Sequence, residues 1–390
     1  MFCGAMRITS FEYRAADGWT LGQMQLDGFN LLVGISGAGK TRIVQSIEQV
    51  CALALGGRGS ASETPHWAYG ASFTMELVHD AQLYRWQASL DPKERSTDRA
   101  SEGSGVTERR EQPWIIRERI WQGDELLVDR SPERFLLNGA SAPRFSRSQS
   151  TIATLNEDPR LSPLHTAFTC CIFRHLHLFP SHGIFTGEFN DVAAYPTVER
   201  LGADLDLPLH HRADYMKARF PEAFQVIDDA FRDAFPHVKE LTVIRYKPPG
   251  YEHYPDYNAV IAVREEGVSH PVAFSDLSSG MQRYLNFLFH LSFAPSGTVV
   301  LVDELESSLG INCLPAATRF LISRAPDLQL IITSHHPYII EQIPTSYWKI
   351  VTRRGSLVQV LPAATIPALS DARTHLDRFT RLINLPEYLQ

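Results

Sequence analysis

The sequence predicts an α/β fold in which a largely buried sheet carries a glycine-rich loop, and three observations predict it. Phe29, Asn30, Leu31, Leu32 and Val33 form a short run of the buried-strand kind. It leads into a glycine loop over residues 34–41, and then Ile43, Val44, Ile47, Val50 and Leu53 recur at helical spacing. Between residues 281 and 343, helical and strand patterns alternate, which argues for parallel pairing. An apolar strand pattern over 298–302 ends in two acids, Asp303 and Glu304.

The remaining elements follow in order. Residues 7–33 alternate short apolar runs with turns. Residues 73–78 and 83–86, separated by His79, Asp80, Ala81 and Gln82, read as a β-hairpin. Residues 91–112 are polar and nearly devoid of large apolar side chains, so a surface loop is expected there. A second hairpin is expected over 114–137, turning at Gln122, Gly123 and Asp124, and a helix over about 161–179. Phe224, Ile227, Ala230, Phe231 and Ala234 share one face of a helix over about 221–235. Strands are expected at 241–246 and 259–264, joined by a loop rich in Pro and Tyr. Helix 281–293, strand 298–302, helix 314–324, strand 329–333 and helix 338–343 complete the pattern. With two hairpins beside the alternating segment, the sheet is expected to be mixed. One unit over 1–390 is expected, with a first lobe over 1–180 that carries an insertion at about 91–150, a helical segment over about 181–240 and a second lobe over 241–390. No internal repeat or heptad array is present, so no coiled-coil arm is expected.

Composition narrows the class. The 390 residues are 44% hydrophobic and 21% charged, an ordinary globular balance. Net charge is −7, without the basic excess of a dedicated nucleic-acid binder. Five cysteines, Cys3, Cys51, Cys170, Cys171 and Cys313, include no C-x-x-C pair, so neither a disulfide framework nor a zinc site is expected. No leader pattern and no apolar run long enough to span a bilayer occur, so a cytoplasmic location is expected and a membrane partner is not.

Four motifs carry chemistry. Gly34-Ile35-Ser36-Gly37-Ala38-Gly39-Lys40-Thr41 matches G-x-x-x-x-G-K-[ST] between a strand and a helix. Its backbone N–H groups and the helix N-terminus suit phosphate oxygens, Lys40 suits the β- and γ-phosphates, and the Thr41 hydroxyl suits Mg²⁺. The run 298–302 followed by Asp303 and Glu304 is a Walker B pattern. Asp303 is the candidate Mg²⁺ ligand and Glu304 the candidate group that orients and deprotonates a water. Leu277-Ser278-Ser279-Gly280-Met281-Gln282 opens a helix, where Ser279 and Gly280 form a candidate anion site or, more plainly, a helix cap. Ile331-Ile332-Thr333-Ser334-His335-His336-Pro337 places two histidines at a strand end.

In this order and spacing, the four motifs resemble those of ABC-type ATPases, and the resemblance covers nearly the whole chain. Residues 277–282 resemble the LSGGQ signature, with Ser279 in place of its first glycine and Met281 inserted before Gln282. Residues 197–243, with Leu201-Gly202-Ala203-Asp204-Leu205 and Phe235-Pro236, resemble the helical segment of the SMC, RecF and OLD branch. The whole is similar to stand-alone PtuA-like and OLD-like AAA ATPases of bacterial genome-maintenance and anti-phage modules. The resemblance implies an ABC-type P-loop fold with β-hairpin insertions, ATP and Mg²⁺ as ligands, and hydrolysis of ATP to ADP and phosphate. It implies that His335 contacts the γ-phosphate. It also implies that Ser279 and Gly280 cover the γ-phosphate bound to another copy, in an ATP-dependent head-to-tail homodimer or higher oligomer.

The chain also departs from that pattern. Leu309-Gly310-Ile311 stands where a D-loop acid is usual, and residues 173–180 offer no Q-loop glutamine. A transporter subunit is therefore not expected. The signature and the histidine pair argue against a small-molecule kinase, and a Toprim-like nuclease domain after His335 is not expected. Arg14 is a candidate adenine contact. His175, His177 and His182 read as packing residues rather than metal ligands, and the arginines over 91–147 are interleaved with acids as on a solvated face. Two uses of ATP stay open. One is a sensor or regulator linked to DNA, with nucleic acid as a partner. The other is a subunit that holds and releases a toxin or nuclease effector encoded nearby.

Overall fold

The structure, a computed structural model, describes residues 6–56, 68–92, 114–169, 172–173, 195–204, 207–246, 258–370, 377, 380–382 and 384. Most of the expected 91–112 loop, the Pro- and Tyr-rich loop, Cys3, Cys170, Cys171, His175, His177, His182 and nearly all of 173–180 lie outside the described residues.

In chain order the elements are β1 Met6–Arg14, β2 Thr20–Gln25, β3 Phe29–Val33, α1 Lys40–Ala54, β4 Ser72–His79, β5 Gln82–Leu90, β6 Ile115–Gln122, β7 Glu125–Arg130, β8 Phe135–Leu137, β9 Ala140–Ser141, α2 Thr151–Thr154, α3 Ser162–Thr169 and β10 Ile172–Phe173. There follow α4 Val198–Ala203, α5 Leu209–Arg219, α6 Pro221–Ala234, β11 Val238–Tyr246, β12 Asn258–Glu265, β13 Val272–Ala273, α7 Ser279–Phe293, β14 Val299–Val302, α8 Leu314–Arg324, β15 Gln329–Thr333, α9 Pro337–Gln342, β16 Trp348–Arg354, β17 Leu357–Pro362 and α10 Pro367–Ser370. They form two compact units. The first comprises residues 1–174, 296–303 and 327–390, and the second comprises 175–295 and 304–326.

A mixed sheet dominates the first unit, with strand order β10-β14-β15-β3-β16-β17-β2-β1-β4-β5-β6-β7-β8-β9. β10, β14, β15, β3 and β16 pair in parallel. Every residue of β3, β14 and β15 is buried, as parallel strands covered on both faces require, which is why their sequences are unbroken apolar runs. From β1 through β4 to β9 the pairing is antiparallel. There β4 alternates buried and half-buried residues, the pattern of a sheet covered on one face. The β4–β5 hairpin turns at Asp80 and Ala81, both left-handed with φ of 48° and 61°, the twist that favours a two-residue hairpin. Glu118 of β6, fully buried, accepts from the Trp86 indole (3.1 Å), Arg130 (3.2 Å), the Thr151 amide and the Thr151 hydroxyl (2.6 Å). That cluster ties the start of α2 to β5, β6 and β7.

The second unit packs α4 to α8 with a small antiparallel sheet, β11-β12-β13. Phe231 of α6 lies 6.2 Å from Tyr284 of α7 between ring centres, and Asp228 accepts from the Leu241 amide at 2.7 Å, fastening α6 to β11.

Most expected elements are present within a few residues. Three differences have physical causes. The expected helix over 161–179 ends at Thr169, and Ile172 and Phe173 pair with β14 instead. The β16–β17 hairpin, not expected at all, fills the sheet between β3 and β2. The units are also not consecutive lobes, because β14 to β17 complete the sheet that β3 begins.

Candidate active site

In the first unit, β3 and α1 hold the glycine loop as the sequence order requires. Gly34 is pressed against β16, where an added Cβ would lie 2.5 Å from the Val351 carbonyl oxygen. Gly39 caps α1 in the left-handed region at φ 105°, where an L side chain is strained. α1 has no side-chain cap at its N-terminus and no acid in its first turn. The partial positive charge of the helix start is therefore left for an anion.

Lys40 is almost fully buried. Its ammonium donates to the carbonyl oxygens of Gly34 (2.6 Å) and Ile35 (3.0 Å) and lies 3.4 Å from Nδ1 of His335. Ser36 and Gly37 form the exposed crest of the loop, and Ala38 is buried beneath it. The Thr41 hydroxyl donates to Oδ1 of Asp303 at 3.2 Å, and the Thr333 hydroxyl donates to the same oxygen at 2.7 Å. Three strand ends and one helix start thus converge. β3 leads to the loop, α1 presents Lys40 and Thr41, β14 ends at Asp303, and β15 ends at Thr333 ahead of His335.

The donor set fits a hard divalent cation. A hydroxyl and a carboxylate oxygen, 3.2 Å apart beside a phosphate-type loop, are the oxygen ligands that Mg²⁺ takes alongside substrate phosphates and water. Thr41 and Asp303 are the residues that would hold it.

Several supporting residues carry no motif. Thr333, two residues before His335 in the 331–337 motif but given no role by it, orients Asp303. Arg353 of β16 donates to the Gly37 carbonyl at 3.2 Å and braces the loop crest. Trp19 and Val358 pack around Gly39. The Arg42 guanidinium stands 4.7 Å over the Trp19 ring and holds both carboxylate oxygens of Asp17 at 2.8 Å. Burial works against ionisation of Asp17, yet the Trp19 amide and Arg42 together hold its carboxyl below the usual carboxylate range. Arg14, a candidate adenine contact, lines a groove with Ser72, Ser89 and Arg117 on the antiparallel part of the sheet.

The other predicted site residues belong to the second unit. Ser278, rather than Ser279, caps α7 by accepting from the Met281 amide at 3.3 Å. Ser279 is the first helical residue and is exposed, so its hydroxyl is not consumed by the cap. Gly280 lies against Gly310, the residue at the expected D-loop position. Gln282 turns back to donate to the carbonyls of Phe274 (2.9 Å), Ser275 (3.2 Å) and Leu277 (3.0 Å), fixing the approach to α7. Glu304 is exposed and left-handed, with φ 48° and ψ 69°, and its carbonyl accepts from the amide and hydroxyl of Ser307, both at 2.9 Å. A non-glycine residue there costs on the order of 1 kcal/mol. That strain falls on the residue expected to act on water.

Residues 188–341 match the family model described as "AAA domain, putative AbiEii toxin, Type IV TA system". Among solved structures, the chain is similar to the Smc head domain with an extended coiled coil bound to the C-terminal domain of ScpA, derived from Pyrococcus furiosus. The identity is 11% and the TM-score 0.50, over 91% of this chain and 96% of that chain. It is also similar to the SmcHead bound to the C-winged helix domain of ScpA (13%, TM-score 0.49, 91% and 96%) and to the SMC head domain from Thermotoga maritima (12%, 0.44, 91% and 98%). The first of these likenesses carries the shared fold. No curated protein matches the chain. Among the described residues, no helix is long and apolar enough to cross a membrane.

Proposed function

We propose that the chain is an ABC-type, SMC-like AAA ATPase that binds ATP with Mg²⁺ and hydrolyses it to ADP and phosphate, a reading supported by the shared fold and by the family match over residues 188–341. The observation that carries this reading is the convergence of Lys40, Thr41, Asp303 and His335 at one loop, from three places far apart in sequence: the start of α1, the end of β14 and the end of β15. The loop amides and the start of α1 hold the phosphates, and Lys40 sets a positive charge against the β- and γ-oxygens. Thr41 and Asp303 would hold Mg²⁺, which would supply neutralisation of phosphate charge there. Glu304, which follows Asp303 directly, orients and deprotonates the attacking water, and His335 contacts the γ-phosphate. Little covalent work falls to the protein, so catalysis is positioning and charge stabilisation. Phosphate release by the purified protein with ATP and Mg²⁺ tests the reading, and no release above a Lys40→Ala control would reject it.

Ser279, exposed at the start of α7 with Ser278 taking over the cap, supports a second element of the proposal. Two copies meet head to tail, and Ser279 and Gly280 of one cover the γ-phosphate held by Lys40 of the other.

The work done with ATP is read as sensing or regulation in a DNA-linked bacterial genome-maintenance or anti-phage system, in the cytoplasm. The words "putative AbiEii toxin, Type IV TA system" in the matched family's description favour a second reading, in which the ATP state of the dimer holds or releases a toxin or nuclease effector. ATPase stimulation by DNA supports the first. Co-purification with a neighbouring gene product, without DNA stimulation, supports the second.

A further inference from the structure

On the antiparallel part of the first unit's sheet, a groove of about 290 Å³ is lined by Glu12 and Arg14 of β1, Ser72 and Thr74 of β4, Gln87 and Ser89 of β5, and Arg117 and Arg119 of β6. The register arranges these side chains in two rows. One runs straight across four strands as Arg14, Ser72, Ser89 and Arg117. The other runs as Glu12, Thr74, Gln87, Arg119 and then Asp129 of β7. In the second row Arg119 is paired with Asp129 at 3.0 Å, a carboxylate that also takes Arg134. In the first row there is no acid. Arg14 and Arg117 are exposed and make no hydrogen bond or ion pair among the described residues, and the two serines between them are half-buried hydroxyls. The first row is therefore a line of donors ended by two uncompensated guanidinium groups, in a chain whose net charge is −7.

We propose that this groove binds the phosphodiester backbone of a nucleic-acid strand, with Arg14 and Arg117 each taking a phosphate and Ser72 and Ser89 donating between them. This rests on the DNA-linked reading of the ATPase and names its contact surface. Guanidinium forks match phosphate oxygens, and arginine with serine and glutamine is the side-chain set that contacts nucleic-acid backbones. Three inter-strand steps separate the two arginines by about 14 Å, more than one phosphate needs and the reach of a short stretch of backbone. The rows offer no aromatic platform for stacking bases, so binding is independent of sequence.

The test is fluorescence anisotropy with a labelled single-stranded DNA oligonucleotide and its duplex, across a range of salt concentrations. R14E/R117E should weaken binding at least about tenfold and flatten the slope of log affinity against log salt by about two. R219E/K239E, an equal charge change at two exposed sites in the second unit, should leave both unchanged, and R117E should leave ATP turnover without DNA unchanged. If the wild-type protein binds DNA and R14E/R117E binds it equally well, the groove is wrong and the DNA-linked reading stands. If the wild-type protein binds neither oligonucleotide, that reading fails with it. If polyglutamate displaces the DNA at equal charge concentration, and does so through the same arginines, the occupant is an acidic protein segment and the proposal is overturned.

Discussion

The Thr41 hydroxyl and the Asp303 carboxylate, 262 positions apart in sequence, meet at 3.2 Å, and Thr333 holds the same Asp303 oxygen from a third element. The pair is the Mg²⁺ site of the proposal. Asp303→Asn should therefore abolish Mg²⁺-dependent turnover while leaving metal-free nucleotide binding within a few-fold of wild type. Phosphate release and nucleotide affinity, each with Mg²⁺ and with EDTA, check this. Equal turnover in the variant would remove Asp303 from the site.

Lys40→Ala should cost both affinity and turnover, because it removes the one ammonium enclosed by the loop carbonyls. Affinity should fall at least about tenfold, the scale of losing a charge-assisted contact to phosphate. Isothermal titration with ATP reads it.

Glu304→Gln should keep ATP bound and slow hydrolysis by on the order of 10²-fold or more, as when a general base is lost. Single-turnover kinetics separate that step from binding. If hydrolysis persists at the wild-type rate, Glu306, two residues on, is the next acid to test.

Glu118 differs in kind from the candidate acids Asp303 and Glu304. Its carboxylate takes hydrogen bonds from Trp86, Arg130 and Thr151 inside the first unit. Glu118→Ala leaves Arg130 buried without that partner, and should destabilise the protein by about 3–5 kcal/mol. Chemical denaturation of the wild type and the variant measures it, and a change below about 1 kcal/mol would contradict the assigned role.

The glycine loop and the strand ends of the candidate site are legible because their patterns are local in sequence. A phosphate loop needs glycines and a lysine at fixed spacing, and a buried strand ending in acids announces itself by its apolar run. The bracing of that site was not legible. Arg353 reaches the Gly37 carbonyl from β16, and Val351 closes on Gly34 from the same strand, through pairings that no local motif encodes. The β16–β17 hairpin itself was missed, although its alternation of buried and exposed residues in β17 is that of an ordinary strand. Arg14 is a candidate adenine contact by resemblance alone, and only the register shows that it stands in a row with Ser72 and Arg117. The sequence offers both Ser278 and Ser279 as caps for the same helix, and only the bond from the Met281 amide to Ser278 shows which serine is spent on capping.

The central claim is that turnover needs Ser279 of one copy over the phosphates held by Lys40 of another. Ser279→Arg places a bulky cation at that exposed helix start without touching the loop, Asp303 or the Ser278 cap. The decisive measurement is phosphate release by Ser279→Arg at an ATP concentration shown, on the same sample, to saturate it. The account predicts ATP bound with near wild-type affinity and turnover reduced to background. Wild-type turnover in this variant, at a rate per molecule independent of protein concentration, would contradict it.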